Sequence, residues 1–130
     1  MFTQTEIALC RKIAEKHKKP VGKGDWILPD EGASWIFLNE PLLVINKTES
    51  PNSYLEFKDY ESLPYIPGFF IPLWSISDCL EFIRKKKPNL CIGSILEIKD
   101  ILKNAIYYPI SRTKIKLLRE VLTILEEEHE

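Results

Sequence analysis

The spacing of apolar residues changes at Pro20 and Gly22, and that change commits the chain to a mixed architecture. Ahead of it, Ile7, Leu9, Cys10, Ile13 and Ala14 recur near helical spacing, and Thr3 precedes Glu6 by three residues as in a capping box. This predicts a helix over residues 3–19, with Phe2 and Ile7 placed for a hydrophobic staple. Five cations, Arg11, Lys12, Lys16, Lys18 and Lys19, crowd its second half, where the helix dipole favours positive charge. Beyond Gly22 the pattern becomes short apolar runs: Trp26-Ile27-Leu28, Trp35-Ile36-Phe37-Leu38, and residues 42–45. Turn residues Pro29-Asp30-Glu31-Gly32 and Asn39-Glu40-Pro41 separate them. Aromatic and β-branched enrichment marks these runs as strands, and their short connections predict an antiparallel meander.

Residues 47–73 form a Pro- and Tyr-rich passage, read as ordered loop with one strand at 54–57. Seven of the fourteen aromatics fall within it or just after: Tyr54, Phe57, Tyr60, Tyr65, Phe69, Phe70 and Trp74. So many large rings predict packing against the body of the protein, with Trp74 buried. Ser75 or Ser77 then caps a helix reaching Lys87, striped by Ile76, Cys79, Leu80 and Ile83. Residues 94–106 read as a further helix on Ile95, Ile98, Ile101, Leu102 and Ala105, although residues 90–98 are β-branched enough for a strand. After Pro109, Ser111 caps a final helix on Ile115, Leu118, Val121, Leu122 and Leu125. The expected fold is one α+β domain over residues 1–130. It holds a small antiparallel three- to four-stranded sheet, packed by the N-terminal helix and two or three C-terminal helices.

Composition agrees with a globular domain: 130 residues, 45% of them hydrophobic and 28% charged, with a net charge of −1. The longest uncharged stretch, between Glu61 and Asp78, is interrupted by Pro64, Pro67 and Pro72, which excludes it as a membrane span. The start Met-Phe-Thr-Gln-Thr-Glu has no basic region leading into an apolar run, so a cytoplasmic protein is expected. Cys10, Cys79 and Cys91, odd in number and without a CxxC pair, argue against both a disulfide framework and a thiol metal site.

Each motif that could carry chemistry also has a plainer role. Gly22-Lys23-Gly24 lies between a helix and a strand, the reverse of the order that cradles phosphate, and reads as a turn. Cys10 and His17 lie two turns apart on one helix, too few ligands for zinc. Cys79 stands near a helix N-terminus, where a thiol can be activated, but it shares the apolar stripe with Ile76, Leu80 and Ile83 and reads as structural. Asp25, Asp30, Glu31, Asp59 and Glu61 belong to a region, residues 25–62, with eight acids against Lys47 and Lys58. They read as turn formers and solvated edges. No catalytic residue, cofactor or metal follows from these patterns.

Gly24-Asp25-Trp26-Ile27 opening a strand, and Phe70-Ile71-Pro72-Leu73-Trp74-Ser75 leading into Asp78-Cys79-Leu80-Glu81-Phe82-Ile83, resemble a type of small phage or prophage protein. The likeness covers residues 1–87 and implies a bacterial or phage origin, with no activity attached. The function expected from the residues is a non-enzymatic accessory module that binds another protein or its own copy. Its expected surface comprises Tyr54, Tyr60, Tyr65 and Phe69 of the aromatic passage and Leu118, Leu122 and Leu125 of the last helix. One alternative is nucleic-acid binding by the basic clusters at residues 11–23 and 84–87, with Arg11, Lys12, Lys16, Arg84, Lys85, Lys86 and Lys87 as contacts. A second is a small enzyme working through carboxylates.

Overall fold

The computed structural model describes residues 2–30, 40–49, 52–66, 68–89 and 110–128. The run at 35–38, the helix or strand expected within 90–106, Glu31 and Cys91 lie outside them. The fold is mixed α+β, with three helices and a five-stranded antiparallel sheet among the described residues. The chain divides into two compact units: Met1–His17 with Trp74–Glu130, and Lys18–Leu73.

The first unit contains α1 (Gln4–Lys16), α2 (Ile76–Lys86) and α3 (Ile110–Glu128). Thr3 caps α1: the Glu6 N–H donates to Thr3 Oγ1 at 3.2 Å, and the Thr3 N–H donates back to Glu6 Oε2. Ser75, rather than Ser77, builds the same box at α2. The Asp78 N–H donates to Ser75 Oγ at 3.1 Å, and the Ser75 N–H donates to Asp78 Oδ2 at 2.9 Å. Each box satisfies helix-end donors that would otherwise lack a partner. α1 stops at Lys16, because His17 turns extended at φ −148° while its N–H still reaches the Ile13 carbonyl.

α3 packs on both α1 and α2. Its covered face is therefore wider than one stripe: Leu117, Leu118, Val121, Ile124 and Leu125 are buried, while Ile115 and Leu122 are half-buried. The stripe expected through Ile115 and Leu122 is thus rotated, and α3 starts at Ile110, one residue ahead of the Ser111 expected to cap it. Leu9, Cys10, Ile13, Trp74, Cys79, Phe82 and Ile83 complete the buried set.

The second unit is the sheet, with β1 (Trp26–Pro29), β2 (Leu42–Thr48), β3 (Tyr54–Phe57), β4 (Leu63–Pro64) and β5 (Phe70–Leu73) in the order β4-β3-β2-β1-β5. Five strands replace the three or four expected, because the Pro-rich passage supplies three of them. Pro64 and Pro72 sit on the two edge strands, where one side of the backbone has no neighbour and a missing N–H costs nothing. The sheet is not a simple meander either. β5 returns to pair with the free side of β1, matching Leu28 to Ile71 and Trp26 to Leu73. Gly22-Lys23-Gly24 is a turn, as its position required. Gly24 takes φ +91° and donates to the Val44 carbonyl at 2.8 Å.

Candidate functional site

Strand register sorts the second unit's side chains onto two faces. Ile27 pairs with Leu42 and Val44 with Phe57, so these four share a face with Leu55. They form one buried cluster with Val21, Leu63 and Phe70. On the opposite face Trp26 pairs with Leu43, Ile45 follows at a bulge between Val44 and Asn46, and Tyr54 pairs with Thr48. Leu28, Ile71 and Leu73 lie on that face too and are buried. Trp26, Ile45 and Tyr54 are not: they are 40%, 43% and 40% exposed. Ile66, two residues beyond the Pro64 that pairs with Tyr54, is 41% exposed. Among the described residues these four are the exposed large apolar side chains, and all belong to the second unit.

Of the aromatic surface expected from sequence, Tyr54 alone stands on this face. Tyr60, Tyr65 and Phe69 are half-buried against the cluster behind the sheet. Tyr65 stacks on Phe70 with ring centroids 6.5 Å apart, and Lys47 Nζ lies 4.8 Å from its ring centre. Burial pushes its hydroxyl pKa up. Leu118 and Leu125 are buried inside the first unit and offer nothing to a partner in this fold; Leu122 is half-buried. The surface therefore shifts from the last helix to Trp26, Ile45 and Ile66, which sequence reasoning missed. A signal existed: the unbroken run Leu42-Leu43-Val44-Ile45, once extended, must place apolar side chains on both faces.

Electrostatics sets the first unit apart. Glu6, 1% exposed, lies in its interior with Oε1 3.6 Å from Lys114 Nζ on α3, and Lys114 Nζ sits 3.8 Å from the Phe2 ring centre. At the other end of the helices His17 adjoins the second basic cluster. His17, which caps α1, has its ring centroid 5.3 Å from Phe82 and 5.9 Å from Trp74. Lys86 Nζ lies 5.8 Å from the Phe82 ring centre. Burial first, and Lys86 second, hold the His17 pKa below 6.5, with Glu128 pulling the other way. Lys86 pairs with Glu128 at 3.0 Å and Lys87 with Glu127 at 3.3 Å. Arg84, Lys85 and Lys12 are exposed.

Cys10 and Cys79 are free, buried thiols whose pKa values burial raises from 9.0 to about 11 and about 12. Such thiols stay protonated at neutral pH and are poor nucleophiles. Asp25 serves its turn: it accepts the Gly22 N–H at 2.8 Å and pairs with Lys19 at 3.1 Å. Asp59 and Glu61 are exposed and Asp30 is half-buried. Among the described residues no three His, Cys, Asp or Glu side chains gather as they would around a metal ion, and no helix is long and apolar enough to cross a membrane. No protein-family model matches the chain, and neither a curated protein nor a solved structure does.

Proposed function

We propose that the protein is a non-enzymatic accessory module of the cytoplasm that binds another protein or its own copy through the open face of its sheet. The observation that carries this reading is the exposure of Trp26, Ile45 and Tyr54 on one face of three adjacent strands. Trp26 is 40% exposed, so covering it on association would recover part of the about 1.5–3 kcal/mol that full burial of a large apolar side chain contributes. Aromatic anchors of this kind dominate the energetics of protein interfaces.

The variant Trp26→Glu/Tyr54→Glu tests it, with far-UV circular dichroism used to confirm that the sheet is retained. For self-association, sedimentation of the wild type should rise with concentration and that of the variant should not. For a foreign partner, affinity capture from the source cells should lose specific proteins when the variant replaces the wild type. A wild type that sediments as a monomer at every concentration, and captures the same proteins as the variant, removes the reading.

A further inference from the structure

The ion pairs at the far end of the first unit are unusual for their location. The helix dipole disfavours anions at a C-terminus, yet α3 ends in Glu126, Glu127 and Glu128. What offsets this is the C-terminal end of α2, whose Lys86 and Lys87 hold Glu128 and Glu127. The cations there have an ordinary explanation, since they suit the end of α2; the carboxylates seated on them do not. The paired side chains are between 38% and 55% exposed, so each contact contributes no more than about 1 kcal/mol and opens readily. Beside them Arg84 and Lys85 are exposed, with no carboxylate at ion-pair distance among the described residues. The end of α1 adjoins the same place through His17 and Phe82.

We propose that residues 84–87 form a site for the phosphate backbone of a nucleic acid, and that Glu127 and Glu128 occupy it until the nucleic acid displaces them. The tail's carboxylates mark where anionic oxygens sit, within 3.0 to 3.3 Å of the two ammonium groups. A phosphodiester chain presents the same negative oxygens in a row, and Lys86 and Lys87 already hold two such oxygens side by side. Binding then releases condensed counterions, a gain the intramolecular pairs do not have.

The test is fluorescence anisotropy of a labelled oligodeoxythymidine, alone and annealed to its complement, against the full chain across a salt series. Glu127→Gln/Glu128→Gln should bind about tenfold more tightly than wild type at about 50 mM salt, with a salt slope steeper by about 1.4 for the single strand, two phosphate contacts having been gained. Glu120→Gln/Glu126→Gln removes the same charge without touching either pair and should stay near wild type. Adding Lys86→Ala/Lys87→Ala to the first variant should abolish its gain. An equal gain in both Gln pairs would mean that net charge alone is responsible, and would overturn the proposal. So would an absence of binding by the unmasked variant.

Discussion

The two units solve the burial problem differently. In the first, each described helix has an apolar side, and α3 packs on both α1 and α2, so the unit's described large apolar side chains are at least half covered. In the second, a sheet has two faces to cover, and strands such as Leu42-Leu43-Val44-Ile45 are apolar on both. The four exposed large apolar side chains among the described residues fall there. Charge divides along the same line: residues 18–73 carry five cations against eight acids, and the remainder thirteen against eleven. Within the first unit Glu6 pairs with Lys114 in the interior, and Lys86 and Lys87 pair with Glu128 and Glu127 at a helix end. The helical unit's described large apolar side chains are at least half covered, whereas on one face of the sheet Leu28, Ile71 and Leu73 are buried and Trp26, Ile45 and Tyr54 stay exposed.

The largest expected effect lies in the closed unit. Trp74 is buried, its ring 5.6 Å from Phe82 at an interplanar angle of 80° and 5.9 Å from His17. Trp74→Ala should lower stability by about 3–5 kcal/mol in chemical denaturation. An unchanged midpoint would show that this unit is not closed around the ring.

Next is the interior ion pair. Lys114→Met leaves the Glu6 carboxylate buried without its cation and should cost about 3 kcal/mol. The double variant Glu6→Gln/Lys114→Met should recover most of that loss, since glutamine preserves the cap on Thr3 and the buried charge is gone. Equal losses in the single and double variants would mean that Lys114 matters through its packing on Phe2 alone.

Much of the first unit was legible in the sequence, because capping boxes and amphipathic stripes are local. Thr3 with Glu6, Ser75 with Asp78, and the burial of Trp74, Cys79 and Ile83 all follow from residues within a few positions of one another. The Glu6–Lys114 pair did not, as 108 positions separate its members and only tertiary packing joins them. Strands were harder. Pro64 and Pro72 argue against a strand unless it is known to be an edge, and edges exist only once the pairing of β5 with β1 is known. The candidate surface was obscured for a similar reason: Tyr54 and Tyr60 look alike in sequence, but register sends Tyr54 to the face opposite the core, while Tyr60 lies in the loop after β3 and packs against the core.

A further effect depends on pH. Cys79 has its pKa raised from 9.0 to about 12, chiefly by burial, and Cys10 to about 11. Below pH 9 both thiols are protonated, folded or unfolded, and contribute no slope. Above it the unfolded chain releases protons that the native one retains, so stability should fall as pH rises from about 9 towards 12. Denaturation midpoints across that range should show the decline, and Cys79→Ala, although less stable at neutral pH, should show a shallower one. A slope unaffected by Cys79→Ala would place that thiol outside the core.

The smallest effect should come from the open face. Ile45 stands at the bulge of β2, where the ladder slips between Val44 and Asn46, and it is 43% exposed. Threonine keeps the branching at Cβ that suits a strand, and its hydroxyl meets water, so Ile45→Thr should change stability by no more than about 0.5 kcal/mol. Burial distinguishes this from Trp74→Ala. A side chain that the fold has covered loses its packing on substitution, and one left open has little to lose until a partner arrives. If Ile45→Thr instead cost about as much as a core substitution, this face would already be covered in the isolated protein, and the two units would not differ in the way their exposures indicate.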